Sequence, residues 1–413
     1  MSGGGGGGPS ARMRRPLAAA LVFGSLAATL IAGFLVKAPC AGGDWGDGRQ
    51  NTRYCYSDIV LLLDNEQLTG DRLPYLDACE DADDRTCDEY PVLTMYAMRV
   101  TAWISNTDPG YFYVNALLLG GVAVLVTGML YRSIGSRALY FAAAPTLLMY
   151  ASLNWDLVPV ALATAGTIAY LRRRDIWSGV LLGLGAAAKV YPALFVLGFV
   201  VGRFRGREPD RGIHLAWAAT GSWLAVNLPF IVSAPRSWWT FFGFSSRRDV
   251  WFDSLWYVAC QRLTGRNCTN VRAVTVGSLV VFIASVAILW WVKRRRDPGF
   301  ARWTLGFPIL IAFLLSNKVY SPQYSLWLLP WFALAMPNLR LFLAFELSDV
   351  AVFLSEFSLF ARFGGHAGVT EGTFELAVVM RAAVLIACVV TWIRARVVDT
   401  EGAPAVVPVV AAA

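Results

Sequence analysis

Charge is scarce in this chain. Only 15% of its 413 residues are Asp, Glu, Lys or Arg, where a soluble domain carries about 25%. Together with a 56% hydrophobic content and a mean hydropathy of +0.51, that scarcity excludes a soluble enzyme with a single anchor. Histidine is scarcer still. The two present, His214 and His366, fall near a basic boundary and in a short loop. Neither has a partner pattern, so no role follows for either. There is no CxxC pair and no nearby histidine to complete a zinc site. No phosphate-cradling Walker loop or soluble nucleotide-sugar domain is visible, and no cofactor is called for.

What the chain has instead is a series of apolar runs near the roughly 20 residues that span a bilayer. Short arginine clusters separate them, as in cytoplasmic loops under the positive-inside rule. The net charge of +8 therefore reads as topology, with the lipid bilayer and not nucleic acid as the partner. The sequence predicts an all-α polytopic membrane protein.

Taken in order, residues 1–16 form a disordered cytoplasmic N-terminus, Gly-rich and ending in Arg12, Arg14 and Arg15. The run Leu17–Val36 is long for a signal peptide and lacks a clean cleavage site, so it reads as a retained first helix. A large external loop, 37–110, comes next. Within it Ile59–Leu63 and Val92–Ile104 read as helices at the interface, and Asp77 to Asp84 as a solvated acidic face. Spans are predicted near 111–131, 138–152, 157–171, 177–188, 191–202, 213–231, 273–292, 303–316, 324–336, 341–360 and 374–393, most of them free of charge. A second external loop covers 232–272, with an interfacial aromatic stretch around Trp238-Trp239. The membrane domain runs over 17–396, with about 10–12 transmembrane helices and both ends inside. A disordered cytoplasmic tail, 397–413, closes the chain.

Six of seven cysteines fall in the two external loops. An even count on an oxidising side suggests disulfides. Cys260 with Cys268 is the most economical pair, while the pairing of Cys40, Cys55, Cys79 and Cys87 stays open. Cys388 lies inside an apolar run.

This topology gathers the polar helix boundaries on one face. Asp58, in Tyr54-Cys-Tyr-Ser-Asp58, precedes an apolar run. It suits a general base that takes the proton of a sugar hydroxyl, but Ser57 and Asp58 are also both good helix caps. Two similar hinges, Lys189-Val-Tyr-Pro192 and Lys318-Val-Tyr-Ser-Pro322, set Lys189, Tyr191, Lys318 and Tyr320 at helix ends. They suit a donor phosphate, and a lysine there can also simply snorkel to headgroups. Asp88-Glu89-Tyr90 suits sugar hydroxyls or a divalent metal, and equally the start of the helix after Pro91. Asn154-Trp155-Asp156 can touch a sugar or acceptor. Against that, tryptophan belongs at interfaces and Asp156 can cap the next helix. Gln323 completes the sugar- or acceptor-binding candidates.

These motifs, with Gly183-Leu-Gly-Ala-Ala-Ala-Lys189 and Asn317-Lys-Val-Tyr-Ser-Pro-Gln323, resemble actinobacterial glycosyltransferase family 87 in order and spacing from about 20 to 395. The resemblance implies a GT-C-like bundle and a mannosyltransferase using polyprenol-phosphate-mannose. It also implies inverting transfer to a glycolipid or glycan at the external face of the plasma membrane, with Asp58 as base, no nucleotide sugar and often no required metal. Arabinose or another pentose is the other donor sugar in view. The alternative is a transporter or flippase, since transporters also break helices at polar hinges. One-sided polar residues and charge-free spans favour the transferase.

Overall fold

The computed structural model describes residues 9–79 and 87–395, with side chains from residue 16 onward. The Gly tract before residue 9, the acidic residues Glu80, Asp81, Asp83 and Asp84, and the tail from 396 lie outside the described residues. All regular structure among the described residues is helical, as expected where a bilayer leaves backbone groups no other partners.

Helix α1 (Pro9–Lys37) leads into the first loop, which holds α2 (Arg49–Thr52), α3 (Asp58–Asn65) and α4 (Val92–Ile104). Next come α5 (Asp108–Ile134), α6 (Leu139–Ala142), α7 (Pro145–Tyr150), α8 (Leu157–Leu171), α9 (Asp175–Ala188), α10 (Ala193–Arg205) and α11 (Pro209–Ser233). The second loop carries α12 (Pro235–Arg247) and α13 (Leu255–Thr264). The chain closes with α14 (Val271–Arg296), α15 (Gly306–Ser316), α16 (Leu329–Leu334), α17 (Leu339–Phe363) and α18 (Glu371–Arg394).

Among the described residues, five helical stretches are long and apolar enough to cross a membrane: Pro16–Cys40, Asp108–Ala142, Pro209–Ser233, Val271–Arg296 and Glu371–Arg394. On α14 the large apolar side chains Val276, Leu279, Val280, Ile283 and Trp291 stay exposed, as a lipid-facing surface requires. The middle of the chain is different. Helices α8, α9 and α15 have 15, 14 and 11 residues. At 1.5 Å per residue each is shorter than the roughly 30 Å hydrocarbon core. The predicted span 138–152 is not one helix but two pieces, broken at Ala143-Ala144 before Pro145, which starts α7. Proline lacks the N–H that would continue the earlier helix, and it is well placed at a first turn. Likewise 324–336 is a 3-10 stretch, Pro322–Leu328, running into α16.

Close packing fixes the hinges. Gly179 and Gly183 on α9 lie against the backbone of α11. A Cβ there would come within 2.3 Å of the Leu215 carbonyl oxygen and 2.2 Å of that of Ala219. Small residues four apart let two membrane helices approach this closely. At the arginine-rich end, buried Asp175 accepts from Arg203 Nε and Arg211 Nε, each at 2.6 Å, and ties α9 to α10 and α11. In the loops the disulfides are Cys40–Cys55, Cys79–Cys87 and Cys260–Cys268. The first closes 15 residues between the end of α1 and the turn before α3. That restriction of the unfolded chain contributes roughly 3 kcal/mol.

Candidate active site

The segment before α3 brings Asp58 to its place. Ser57 is the cap of α3: its hydroxyl accepts from the Ile59 N–H and donates to the Ser152 carbonyl at 2.8 Å. Capping thus falls to Ser57, and the Asp58 carboxylate is left for other partners. The Asp58 N–H donates to the Leu153 carbonyl at 2.9 Å, so the first loop is stitched to the turn before α8. Lys37, fully buried at the end of α1, donates to the carbonyls of Tyr56 (2.8 Å) and Tyr54 (3.3 Å). Its ammonium also lies 4.8 Å from the Phe353 ring centroid. It holds Tyr54, whose φ of 57° is a left-handed conformation that non-glycine residues rarely adopt.

Around the carboxylate, Asn154 Nδ2 donates to Asp58 Oδ2 at 2.7 Å and to the Tyr90 hydroxyl at 2.7 Å. Asn154 Oδ1 accepts from the Trp155 N–H, which fixes the amide's orientation. Gln323 Nε2, from the 3-10 stretch, approaches the same Asp58 oxygen at 3.3 Å. Two residues distant in sequence, Asn154 and Gln323, therefore converge on one carboxylate at the N-terminal end of a helix, where negative charge is favoured.

Next to this group stands Lys189. It pairs with buried Asp156 at 3.0 Å, and its ammonium lies 4.9–5.8 Å from the ring centroids of Tyr324, Tyr90 and Trp327. Trp327 Nε1 donates to the other Asp156 oxygen at 2.6 Å. Asp156 sits at the cap position of α8, yet its side chain caps nothing and serves Lys189 and Trp327. Tyr191 stacks on Trp327 at 4.2 Å, and Trp327 stacks on Tyr324 at 4.3 Å. From α4, the Thr94 hydroxyl donates to the Ala188 carbonyl at 2.7 Å and secures the hinge beside Lys189.

Other residues singled out in the sequence stand elsewhere. Lys318 donates to the Ser246 carbonyl (2.8 Å) and the Thr275 hydroxyl (2.9 Å). Tyr320 is buried, with Arg381 3.7 Å from its ring centroid and its hydroxyl 3.2 Å from Ser325 Oγ. The two Lys-Val-Tyr hinges are therefore not equivalent. Pro192 opens an α-helix, whereas the 3-10 stretch that starts at Pro322 turns Gln323 toward Asp58 and Tyr320 toward α18. Asp88 pairs with Arg72 at 2.6 Å, and its N–H donates to Glu66. It locks the loop, with Arg72 holding the carboxylate that a divalent cation would need. The Glu89 N–H also donates to Glu66. Trp155 is buried, its indole N–H donating to Asn115 at 2.7 Å. It packs between Tyr90 and Tyr111 and offers no open ring face to a sugar.

Sequence patterns alone do not single out Lys37, Tyr56, Tyr324 or Trp327. They also present 341–360 as an ordinary apolar span. Helix α17 in fact buries Glu346, Asp349 and Glu356. Asp349 accepts from Arg381 (3.2 Å), Ser325 (2.6 Å) and Thr146 (3.1 Å), and Glu346 accepts from the Thr146 N–H. Acidic residues at i, i+3 and i+10 on a helix are the available signal.

A base-like carboxylate beside a caged ammonium can activate a hydroxyl and face an anion. A solved structure, that of ArnT from Cupriavidus metallidurans bound to undecaprenyl phosphate, is similar at 13% identity with a TM-score of 0.44. The similarity covers 90% of this chain and 76% of that one. No curated protein matches the sequence. The model of glycosyltransferase family 87 matches residues 90–317. That span contains Tyr90, Asn154, Asp156 and Lys189, and stops short of Asp58 on one side and Gln323 on the other. With more than half of its length matched, the chain belongs to glycosyltransferase family 87.

Proposed function

We propose that this membrane glycosyltransferase is an inverting hexosyltransferase. It takes its sugar, mannose in our reading, from a polyprenyl-phosphate donor. The acceptor is a cell-envelope glycolipid or glycan at the external face of the plasma membrane. The observation that carries the reading is the convergence of Asn154 and Gln323 on Asp58, with Lys189 beside them. The acceptor oxygen attacks the anomeric carbon while the bond from that carbon to the phosphate oxygen breaks. The electron pair leaves with polyprenyl phosphate, and Asp58 receives the acceptor proton. General-base help of this kind contributes about 10²–10⁴ in rate. Lys189 lies on the phosphate side, its charge held in place by Asp156 and three rings. Sugar hydroxyls meet Tyr90 and Gln323, while Asn154 holds the base.

One observation favours the transporter reading, namely the ionisable groups buried in α17 and α18. Glu346, Asp349 and Arg381 among them are joined with Ser325 and Thr146 across four elements, which suits a fixed brace better than a moving gate.

The test gives membranes containing the protein radiolabelled polyprenyl-phosphate-mannose and a lipid extract. Label should enter a new glycolipid with wild type and not with Asp58→Asn. Equal transfer by both would remove Asp58 from the mechanism. Label crossing the bilayer without transfer would favour the transporter.

A further inference from the structure

At the opposite end of α8 from Asn154 lies a second cluster that the transfer reaction does not use. Helix α8 has 15 residues, so the cluster is about 22 Å along its axis from the active-site end. A groove of 290 Å³ opens there between α5, α8 and α9. Arg132, Arg172 and Arg174 line it, with Ile168 and Leu181 on its walls and Trp177 at its edge. Trp177 is 62% exposed.

The neighbouring arginines are neutralised. Arg173 pairs with Glu208, and Arg203 and Arg211 pair with Asp175. The three in the groove pair with no carboxylate among the described residues, and Arg172 has only the Ser133 hydroxyl, at 3.3 Å. Three guanidinium groups over an apolar wall are an arrangement with a definite complement. Guanidinium binds phosphate oxygens through paired N–H donors. A free phosphate gains nothing from Ile168 and Leu181, whereas the first carbons of an acyl chain do. An exposed tryptophan is at home at headgroup depth. Basic pockets between membrane helices bind anionic headgroups in this way.

We propose that this groove is a binding site for one anionic phospholipid of the leaflet opposite to the active site, its phosphate held by Arg132, Arg172 and Arg174 and an acyl chain lying along α8 and α9.

The experiment uses the full chain, purified in detergent and stripped of lipid, with bound lipid counted by native mass spectrometry. Dioleoylphosphatidylglycerol is the probe, and dioleoylphosphatidylcholine and inorganic phosphate are the comparisons. Wild type should retain phosphatidylglycerol in preference to phosphatidylcholine. Retention should weaken about 5-fold for each arginine changed to Gln. Trp177→Ala, which keeps all three cations, should weaken it for both lipids. Equal retention of the two lipids by wild type would overturn the proposal. So would wild-type retention by the triple Gln variant, or displacement of phosphatidylglycerol by millimolar phosphate. Should the triple variant fail to elute as a folded particle, Arg174→Gln alone carries the same comparison, and undiminished retention there counts against the site.

Discussion

Asn154 gives both hydrogens of one amide nitrogen to the site, one to Asp58 Oδ2 and one to the Tyr90 hydroxyl, each at 2.7 Å. Its own carbonyl oxygen is held by the Trp155 N–H, so the amide cannot flip without losing three bonds. Asn154 is therefore a positioning residue for the carboxylate. Asn154→Ala should lower kcat for transfer by about 10²-fold, the scale on which an ångström of misplacement acts, with donor binding little changed. Asn154→Asp should do more, since it offers Asp58 no hydrogen and sets a second carboxylate against it. Wild-type kcat in either variant would refute the positioning role.

Lys189 and Asp156 form a pair whose halves can be tested separately. Lys189→Met leaves the buried Asp156 carboxylate with only the Trp327 indole, and an uncompensated buried charge costs about 3–5 kcal/mol. That variant should be poorly folded. Adding Asp156→Asn removes the stranded charge, so the double variant should recover a monodisperse, thermally stable particle. It should still fail to transfer sugar, because the cation beside Asp58 is gone. A double variant that both folds and transfers at the wild-type rate would reduce Lys189 to a structural partner of Asp156. Lys318→Met, anchored instead on Ser246 and Thr275, should affect transfer less than the double variant does.

The spans are legible in the sequence because hydropathy adds along a window, and a run such as 273–292 needs no tertiary information to emerge as α14. Polar residues just before helices are equally legible, which is why Asp58, Asn154 and Asp156 stand out one by one. Their mutual arrangement is not. Gln323 reaches Asp58 across 265 residues, and no local pattern encodes that approach. The Lys-Val-Tyr repeat suggests a symmetric pair, but the different backbone after each proline sends Tyr191 onto Trp327 and Tyr320 under Arg381. Lys37 looks like an ordinary end to a membrane helix. Only the fold reveals that its ammonium is turned inward onto the Tyr54 and Tyr56 carbonyls.

The first loop should loosen as pH rises. Burial pushes the Glu66 carboxyl up to about 8 from an ordinary 4.5, and the charges of Glu89 and Asp88 push the same way. The folded loop therefore keeps a proton that the unfolded loop has released once pH passes 4.5. Stability falls between that value and about 8, at roughly 1.4 kcal/mol per pH unit. Above that range both states are ionised and the loss is complete. Hydrogen exchange at the Asp88 and Glu89 amides, which donate to Glu66, reads this directly. After correction for intrinsic rates, protection should drop from pH 5 to pH 8 in wild type. In Glu66→Gln it should stay nearly flat, apart from a slope at the acid end from Asp88, itself raised by burial. Equal slopes in both proteins would locate the titration elsewhere.

The approach of α9 to α11 sets the height of the Lys189 hinge, because the same helix that carries Gly179 and Gly183 ends at Ala188. A methyl group at Gly183 meets the Ala219 carbonyl at 2.2 Å and the Ser222 hydroxyl at 2.1 Å. Both belong to α11, and Ser222 already donates to the Val180 carbonyl at 3.1 Å. The helices must therefore separate, and overpacking of this kind costs about 1–3 kcal/mol. Gly183→Ala should lower the midpoint of thermal unfolding in detergent and shift Lys189 relative to Asp58, so kcat should fall with it. Gly221→Ala on α11, where a Cβ has nothing within 4 Å, adds the same methyl without the contact and should change neither. If Gly183→Ala unfolds at the wild-type temperature and keeps the wild-type kcat, the close approach of the two helices is not what holds the hinge.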